Sequence, residues 1–439
     1  MRRAPARYPK HVREETAKGR LRPGFPEAIV RACRDARVAT TGCPFSERRR
    51  ITGVFDAPGK DSMRAARLAL ALALLAAPAA AQETVKDTTV KDPTVKDQTV
   101  KDQAVKDTPK HAAPSETEAP RPDGAPVVRA YGAELQDFPY PYEVKRFEFV
   151  SQRKPLQMTY MDVKPEQPNG RTVVLLHGKN FCGATWEATM AVLLKAGYRV
   201  VAPDQIGFCK SSKPMGYQFS LYQLAANTKA LLEQIGVEKP IIMGHSMGGM
   251  LAMRYAISFP DALSGLVLVN PIGLEDWRAA GIPARTVDQW FAGELRTTFD
   301  SIKAYQQKTY YAGSWSPDYD RWVAMLAGMY QGDGKAAVAW DQALASDMVY
   351  GQPVVYELGK IGAPTLMLIG EKDLTAIGKD AAPPEVQKKV GNYAKLGPAA
   401  AAAIPDAKLV MFPDLGHAPQ MQAPDRFHAA LMKGLADLK

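Results

Sequence analysis

The chain has 439 residues, 46% of them hydrophobic and 23% charged, with a formal net charge of +10. That is ordinary globular composition, with room for one large domain or two smaller ones. Residues 1–62 hold 15 Lys+Arg against 7 Asp+Glu, Arg64 and Arg67 add two more, and from Gln82 onward the two signs balance at 39 each; the balance removes the electrostatic case for a nucleic-acid partner.

Residues 1–62 are Arg-rich and show neither helical nor strand periodicity. They read as a mis-extended start or, if translated, a disordered leader. Met63–Ala81, MRAARLALALALLAAPAAA, has a basic start, an apolar run over Leu68–Ala77 and Ala79-Ala80-Ala81 before Gln82. That is the layout of a secretory signal peptide, which makes Met63 the expected functional start and a periplasmic or secreted location the expectation. The apolar run is too short to span about 30 Å of hydrocarbon, so no stable membrane span is expected. Residues 82–128 follow as a linker whose first part, 84–107, repeats V-K-D every five residues. One small apolar residue in five builds no core.

The globular part begins near Arg129. Lys145–Val150 and Leu156–Val163 alternate like an antiparallel pair of strands. Short, nearly continuous apolar runs come next: RTVVLLHG (171–178), YRVVAPDQ (198–205), KPIIMGHS (239–246), LSGLVLVNP (263–271), APTLMLIG (363–370) and AKLVMFP (407–413). Such runs suit parallel strands covered on both faces. Helix-length segments, Ala184–Ala196, Leu221–Ile235, Met247–Phe259 and Asp425–Leu438, lie among them. The alternation predicts an α/β fold, a mostly parallel sheet with helices on both faces. The interval from Gly273 to Gly362 is too long for a plain crossover and is rich in helix formers and aromatics. It reads as a helical cap, 274–362, inserted into a core of 129–273 and 363–439.

GHSMGG, Gly244–Gly249, ends one of these strands and opens a helix. G-x-S-x-G alone recurs by chance; in a strand–turn–helix setting it marks a nucleophile elbow at Ser246. A serine hydroxyl needs a base. Of the six histidines, His11 and His111 lie in the leader and linker, and His177 ends a strand. His245 adjoins the serine with its ring expected to aim elsewhere, and His428 falls inside the last helix. His417 remains, in a loop after the last strand, where active-site groups gather in open α/β sheets. The acid that would orient it is expected at the end of the preceding strand: Asp373, with Glu371 and then Asp276 as alternatives. The oxyanion donors are expected to be the amides of Met247 and Lys179, with the Lys179 ammonium in solvent or, as the alternative, near the pocket. Asp204 reads as a structural turn carboxylate.

LLHG, APDQIGFCKSS, GHSMGG, IGEKD and GHAPQMQAPDRF together resemble the α/β-hydrolase superfamily over about residues 130–439, in its cap-bearing esterase, C–C hydrolase and epoxide-hydrolase-like branch. The resemblance implies an eight-stranded sheet with a lid between strands six and seven, and Ser246, Asp373 and His417 as the triad. Epoxide hydrolases and haloalkane dehalogenases of that branch carry Asp at the nucleophile position, so Ser246 argues against both. Lys-Asn-Phe-Cys after LLHG departs from many relatives. In the superfamily the two strands preceding Cys182 and Cys209 are neighbours; a disulfide and two free thiols both stay open, while Cys33 and Cys43 belong to the leader.

Three functions suit this reading. One is a secreted serine hydrolase of a small hydrophobic ester, lactone or thioester, needing no metal or cofactor. A second is a C–C bond hydrolase or cofactor-free perhydrolase on the same triad. A third is a non-catalytic binding protein on the same fold. Oligomeric state is not readable.

Overall fold

The computed structural model describes residues 128–438. The leader, the signal-like segment and the repeat linker, with His11, His111, Cys33 and Cys43, lie outside the described residues.

Eight strands form one sheet: β1 Val144–Ser151, β2 Lys154–Val163, β3 Thr172–Leu176, β4 Arg199–Pro203, β5 Ile241–His245, β6 Gly265–Val269, β7 Thr365–Gly370 and β8 Ala407–Phe412. Their order is β1-β2-β4-β3-β5-β6-β7-β8. β2 runs antiparallel to both β1 and β4, and all other neighbours are parallel. The hairpin register pairs Val144 with Met161 and Ser151 with Lys154.

The helices are α1 Glu187–Lys195, α2 Leu221–Gln234, α3 Met247–Ser258, α4 Trp277–Ala280, α5 Val287–Glu294, α6 Phe299–Thr309, α7 Asp320–Met329, α8 Lys335–Gly351, α9 Pro384–Gln387, α10 Tyr393–Ala403, α11 Pro419–Gln422 and α12 Pro424–Asp437. Successive strand residues face opposite sides. Val173, Leu175, Ile241 and Met243 pack with Trp186, Met190 and Leu193 beside α1 and with Phe427, Leu431 and Leu435 of α12. The last three recur every four residues, which makes one apolar stripe along α12. Val174, Leu176 and Ile242 face the other way, toward α2 and α3. Both faces of the central strands are covered, which is why their sequences do not alternate.

Two differences from the sequence reading have physical reasons. β8 is an edge strand and is half exposed along most of its length, not covered on both faces. Helix α10 went unseen because Gly397-Pro398 reads as a breaker. Its Gly397 packs closely: a Cβ there would lie 3.3 Å from Ile369 and from Met411 Sδ.

The interval between β6 and β7 is helical, α4 to α8, with single helical turns between. It sits against the carboxyl ends of the strands, where Ala418 N donates to Tyr310 O at 3.2 Å. The stretch before β1, read as the start of the core, is bonded to the loop after β4, where Lys210 Nζ donates to Leu135 O at 2.6 Å, and also straps onto this insertion. Tyr131 N donates to Gly328 O at 3.0 Å, and Phe138 packs on Trp322 with ring centroids 6.3 Å apart. Cys182 and Cys209 are joined by a disulfide between the loops after β3 and β4. Asp204 gathers that region: it accepts from Gly183 N at 2.7 Å, Tyr140 OH at 2.6 Å, Thr159 Oγ1 at 3.2 Å and Lys210 N at 3.1 Å. Among the described residues no helix is long and apolar enough to cross a membrane.

Candidate active site

Ser246 stands between the end of β5 and the start of α3, at φ 56° and ψ −120°. A non-glycine residue there is strained and persists only where its surroundings over-determine it. They do: Ser246 N donates to Val269 O at 3.1 Å, and its carbonyl accepts from Gly249 N, Met250 N and Ile272 N at 3.0 to 3.1 Å. The turn also demands bare backbone beside it. A Cβ on Gly244 would lie 2.1 Å from Gly248 O, and one on Gly248 would lie 2.1 Å from Leu176 O.

His417 and Asp373 are both fully buried, and His417 Nδ1 lies 2.6 Å from Asp373 Oδ2. Asp373 Oδ1 accepts from Thr375 N at 2.8 Å, and Oδ2 also accepts from Asn270 Nδ2 at 2.9 Å. An ionised carboxylate has only acceptors, so the proton of the pair sits on His417 Nδ1. Nε2 then carries a lone pair, and it is buried with no hydrogen-bond partner. The bond from Ser246 Oγ to Nε2 is not formed in this structure.

Two of the other buried histidines hold loops, and the third joins two helices. His245, expected to aim elsewhere, reaches His417: its Nε2 donates to the His417 carbonyl at 2.8 Å, and the two rings are 4.9 Å apart. The residue beside the serine thus fixes the backbone of the loop that carries His417. Burial, reinforced by His417, holds the His245 imidazole well below its usual range, so it stays neutral. His177 accepts from Gln205 N at 3.0 Å and donates through Nδ1 to Gly178 O at 2.8 Å. His428 meets Thr189 Oγ1 at 3.1 Å, away from Ser246.

The alternative acids do not reach His417. Asp276 caps α4 and pairs with Arg278 at 2.9 Å. Glu371 is only half-buried, and no hydrogen bond joins it to His417. Sequence reasoning passed over Asn270. Its signal was a polar residue directly ending the run LVLV; in the structure it takes φ 36° and also accepts from Gly370 N at 2.9 Å.

The loop after β3 lies against the serine. A Cβ on Gly178 would be 3.1 Å from Ser246 Cβ. The amides of Lys179 and Met247 have no acceptor among the described residues. The Lys179 ammonium is not in solvent, contrary to expectation. It donates to Glu294 Oε1 of the insertion at 2.7 Å, with the two side chains 12% and 16% exposed. Of the aromatics in the insertion, Tyr310 faces the site, its ring 4.8 Å from His417 and 5.5 Å from Phe181. One trio of potential metal ligands draws together, Cys182, Asp204 and Cys209, but both sulfurs are spent in the disulfide.

A family model described as the alpha/beta hydrolase fold matches residues 171–424. The chain belongs to that family. A probable hydrolytic enzyme from Pseudomonas aeruginosa PAO1, known by crystal structure, is 60% identical with a TM-score of 0.70, the match covering 70% of this chain and 99% of that one. A curated 2-hydroxy-6-oxononadienedioate/2-hydroxy-6-oxononatrienedioate hydrolase from Comamonas testosteroni is 26% identical over 275 residues, 61% of this chain and 88% of the relative. A thermophilic esterase from Thermogutta terrifontis shares the fold at 21% identity and a TM-score of 0.50, covering 67% of this chain and 99% of that one. This alpha/beta hydrolase is an enzyme.

Proposed function

We propose that this alpha/beta hydrolase cleaves a small hydrophobic carboxylic ester, lactone or thioester through an acyl-enzyme on Ser246. The observation that carries the reading is the buried His417–Asp373 pair at 2.6 Å with Nε2 left bare, on a loop bonded to the neighbour of Ser246. Ser246 Oγ attacks the carbonyl carbon while His417 Nε2 takes its proton. Asp373 stays ionised, keeps the proton on Nδ1 and stabilises the imidazolium. The tetrahedral oxygen is received by the free amides of Lys179 and Met247, the latter at the start of α3 where the helix dipole favours an anion. His417 returns the proton to the leaving group, and the bond to it breaks. Water then repeats the sequence on the acyl-enzyme, with His417 as base. The aromatic lining by Tyr310 and Phe181 supports an apolar group on the substrate.

A second reading is hydrolysis of a C–C bond in a hydroxy-oxo dienoate by the same three residues. The activity for which the Comamonas testosteroni relative is named favours it. Secretion or a periplasmic location is part of the first reading. It is supported by the signal-like Met63–Ala81 and by the Cys182–Cys209 bond, which suits an oxidising compartment.

One experiment separates these. The full chain and Ser246→Ala are assayed on p-nitrophenyl esters from acetate to palmitate and on a 2-hydroxy-6-oxo dienoate. Ester turnover that vanishes in the variant supports the first reading, and its chain-length optimum sizes the pocket. Turnover of the dienoate alone selects the second. Equal turnover in both proteins removes Ser246 as nucleophile.

A further inference from the structure

Lys179 belongs to two parts of the molecule. Its backbone follows Gly178, the residue packed on Ser246. Its ammonium leaves the core and donates to Glu294 Oε1 at 2.7 Å. Glu294 is the last residue of α5 in the cap, and its other oxygen accepts from Tyr330 OH, just past α7, at 2.6 Å. The next loop residue, Asn180, donates through Nδ2 to Tyr310 OH, just past α6, at 2.9 Å. Two consecutive residues of one core loop are therefore each held by the cap.

A carboxylate in the last turn of a helix opposes the helix dipole. The placement of Glu294 is thus not explained by α5 itself, but by what it faces, a half-buried cation and a buried phenol. Burial and the neighbouring Glu294 raise the Tyr330 phenol well above its usual range, so it remains a donor. Ser246 is itself only 6% exposed with the cap in this position. A shift that separates cap from loop breaks the bonds to Lys179 and Asn180.

We propose that Glu294 and Tyr330 are positioning residues for the oxyanion hole: with the cap docked they hold the Lys179 side chain so that the Lys179 amide faces the reacting oxygen, and with the cap displaced the hole is incomplete. The inference rests on the reading of Ser246 as nucleophile and Lys179 as amide donor. It couples turnover to cap closure, so a substrate that binds without letting the cap dock is held but not cleaved.

The test uses Glu294→Gln, which keeps the shape and loses the charge, and Lys179→Met, which keeps the amide and loses the ammonium. Ester hydrolysis is followed together with the rate at which a fluorophosphonate labels Ser246, since that addition also develops charge in the hole. Expected are a fall in kcat and in labelling rate of about ten- to a hundred-fold, the scale of a small misplacement at a reacting centre. KM should stay within about twofold, the double variant should be no worse than either single one, and Lys179→Arg should recover part of the loss. Tyr330→Phe, which leaves the ion pair in place, should act in the same direction to a smaller degree. Unchanged kcat and labelling in folded variants with only a lowered Tm would overturn the proposal, as would a raised KM at constant kcat. Failure of the underlying reading looks different: wild-type Ser246 would not be labelled, or Ser246→Ala would keep full turnover.

Discussion

Asn270 Nδ2 donates to Asp373 Oδ2 at 2.9 Å, to the same oxygen that accepts from His417 Nδ1 at 2.6 Å. A residue just past β6 therefore sets the acid just past β7, and Asn270 is itself anchored by the Gly370 amide. Asn270→Ala strips one donor from a buried carboxylate. The expected cost is about 1–3 kcal/mol of stability and roughly a tenfold loss in kcat, read from denaturant unfolding and ester kinetics. Asn270→Asp should be worse, because two buried carboxylates in contact cannot both ionise.

Asp373→Asn should leave the chain folded and lower kcat by about 10⁴-fold, the size seen when a triad histidine is held in the wrong tautomer. The amide can donate to Nδ1 and so move the proton to Nε2. Glu371→Gln should change kcat less than twofold. A comparable loss in Glu371→Gln would transfer the acid role to Glu371.

Cys182 and Cys209 are 27 residues apart in sequence. Replacing both with serine should cost about 2–4 kcal/mol through the loop-closure entropy released in the unfolded chain. Cys182 lies in the loop that carries Lys179, so kcat should fall too, by less than tenfold. Thermal unfolding and kinetics, with and without a reductant, would check both statements; an unchanged Tm would show that the bond does not form.

Stability should fall as pH drops from about 7 to 5. Burial depresses the imidazoles of His177, His245 and His428 below their usual range. Depressed groups contribute stability that is present above their unfolded value near 6.5 and lost as pH falls toward the folded value. Asp341 opposes this: burial pushes its carboxyl up to about 7 against the pull of Lys213, so its contribution improves as pH falls through 7. Glu275, also raised by burial, acts in the same sense at lower pH. Three depressed imidazoles oppose one raised carboxyl in this window, so Tm is expected to decline. Asp341→Asn should make the decline steeper; a shallower one would contradict the sign assigned to Asp341.

The sheet was legible because its central strands are covered on both faces, which leaves runs such as TVVLL and GLVLV nearly free of polar residues. The elbow was legible because only glycine fits where Gly244 and Gly248 meet backbone oxygens. The edge strand β8 and helix α10 were misread or missed because exposure and local breakers obscure periodicity.

What the sequence determined by itself was local: which runs become strands, where β5 turns into α3 around Ser246, and which loops hold His417 and Asp373. Side chains brought together across long sequence separations were decided only by the tertiary structure. Asn270 and Asp373 are 103 residues apart, and Lys179 and Glu294 are 115 apart. No local pattern encodes such a pair, because the contact depends on how the ends of β3, β6 and β7 and the cap helices pack in space. For the same reason the direction of the Lys179 ammonium was unreadable: a lysine in a loop looks solvated until the folded cap brings Glu294 and Tyr330 to it.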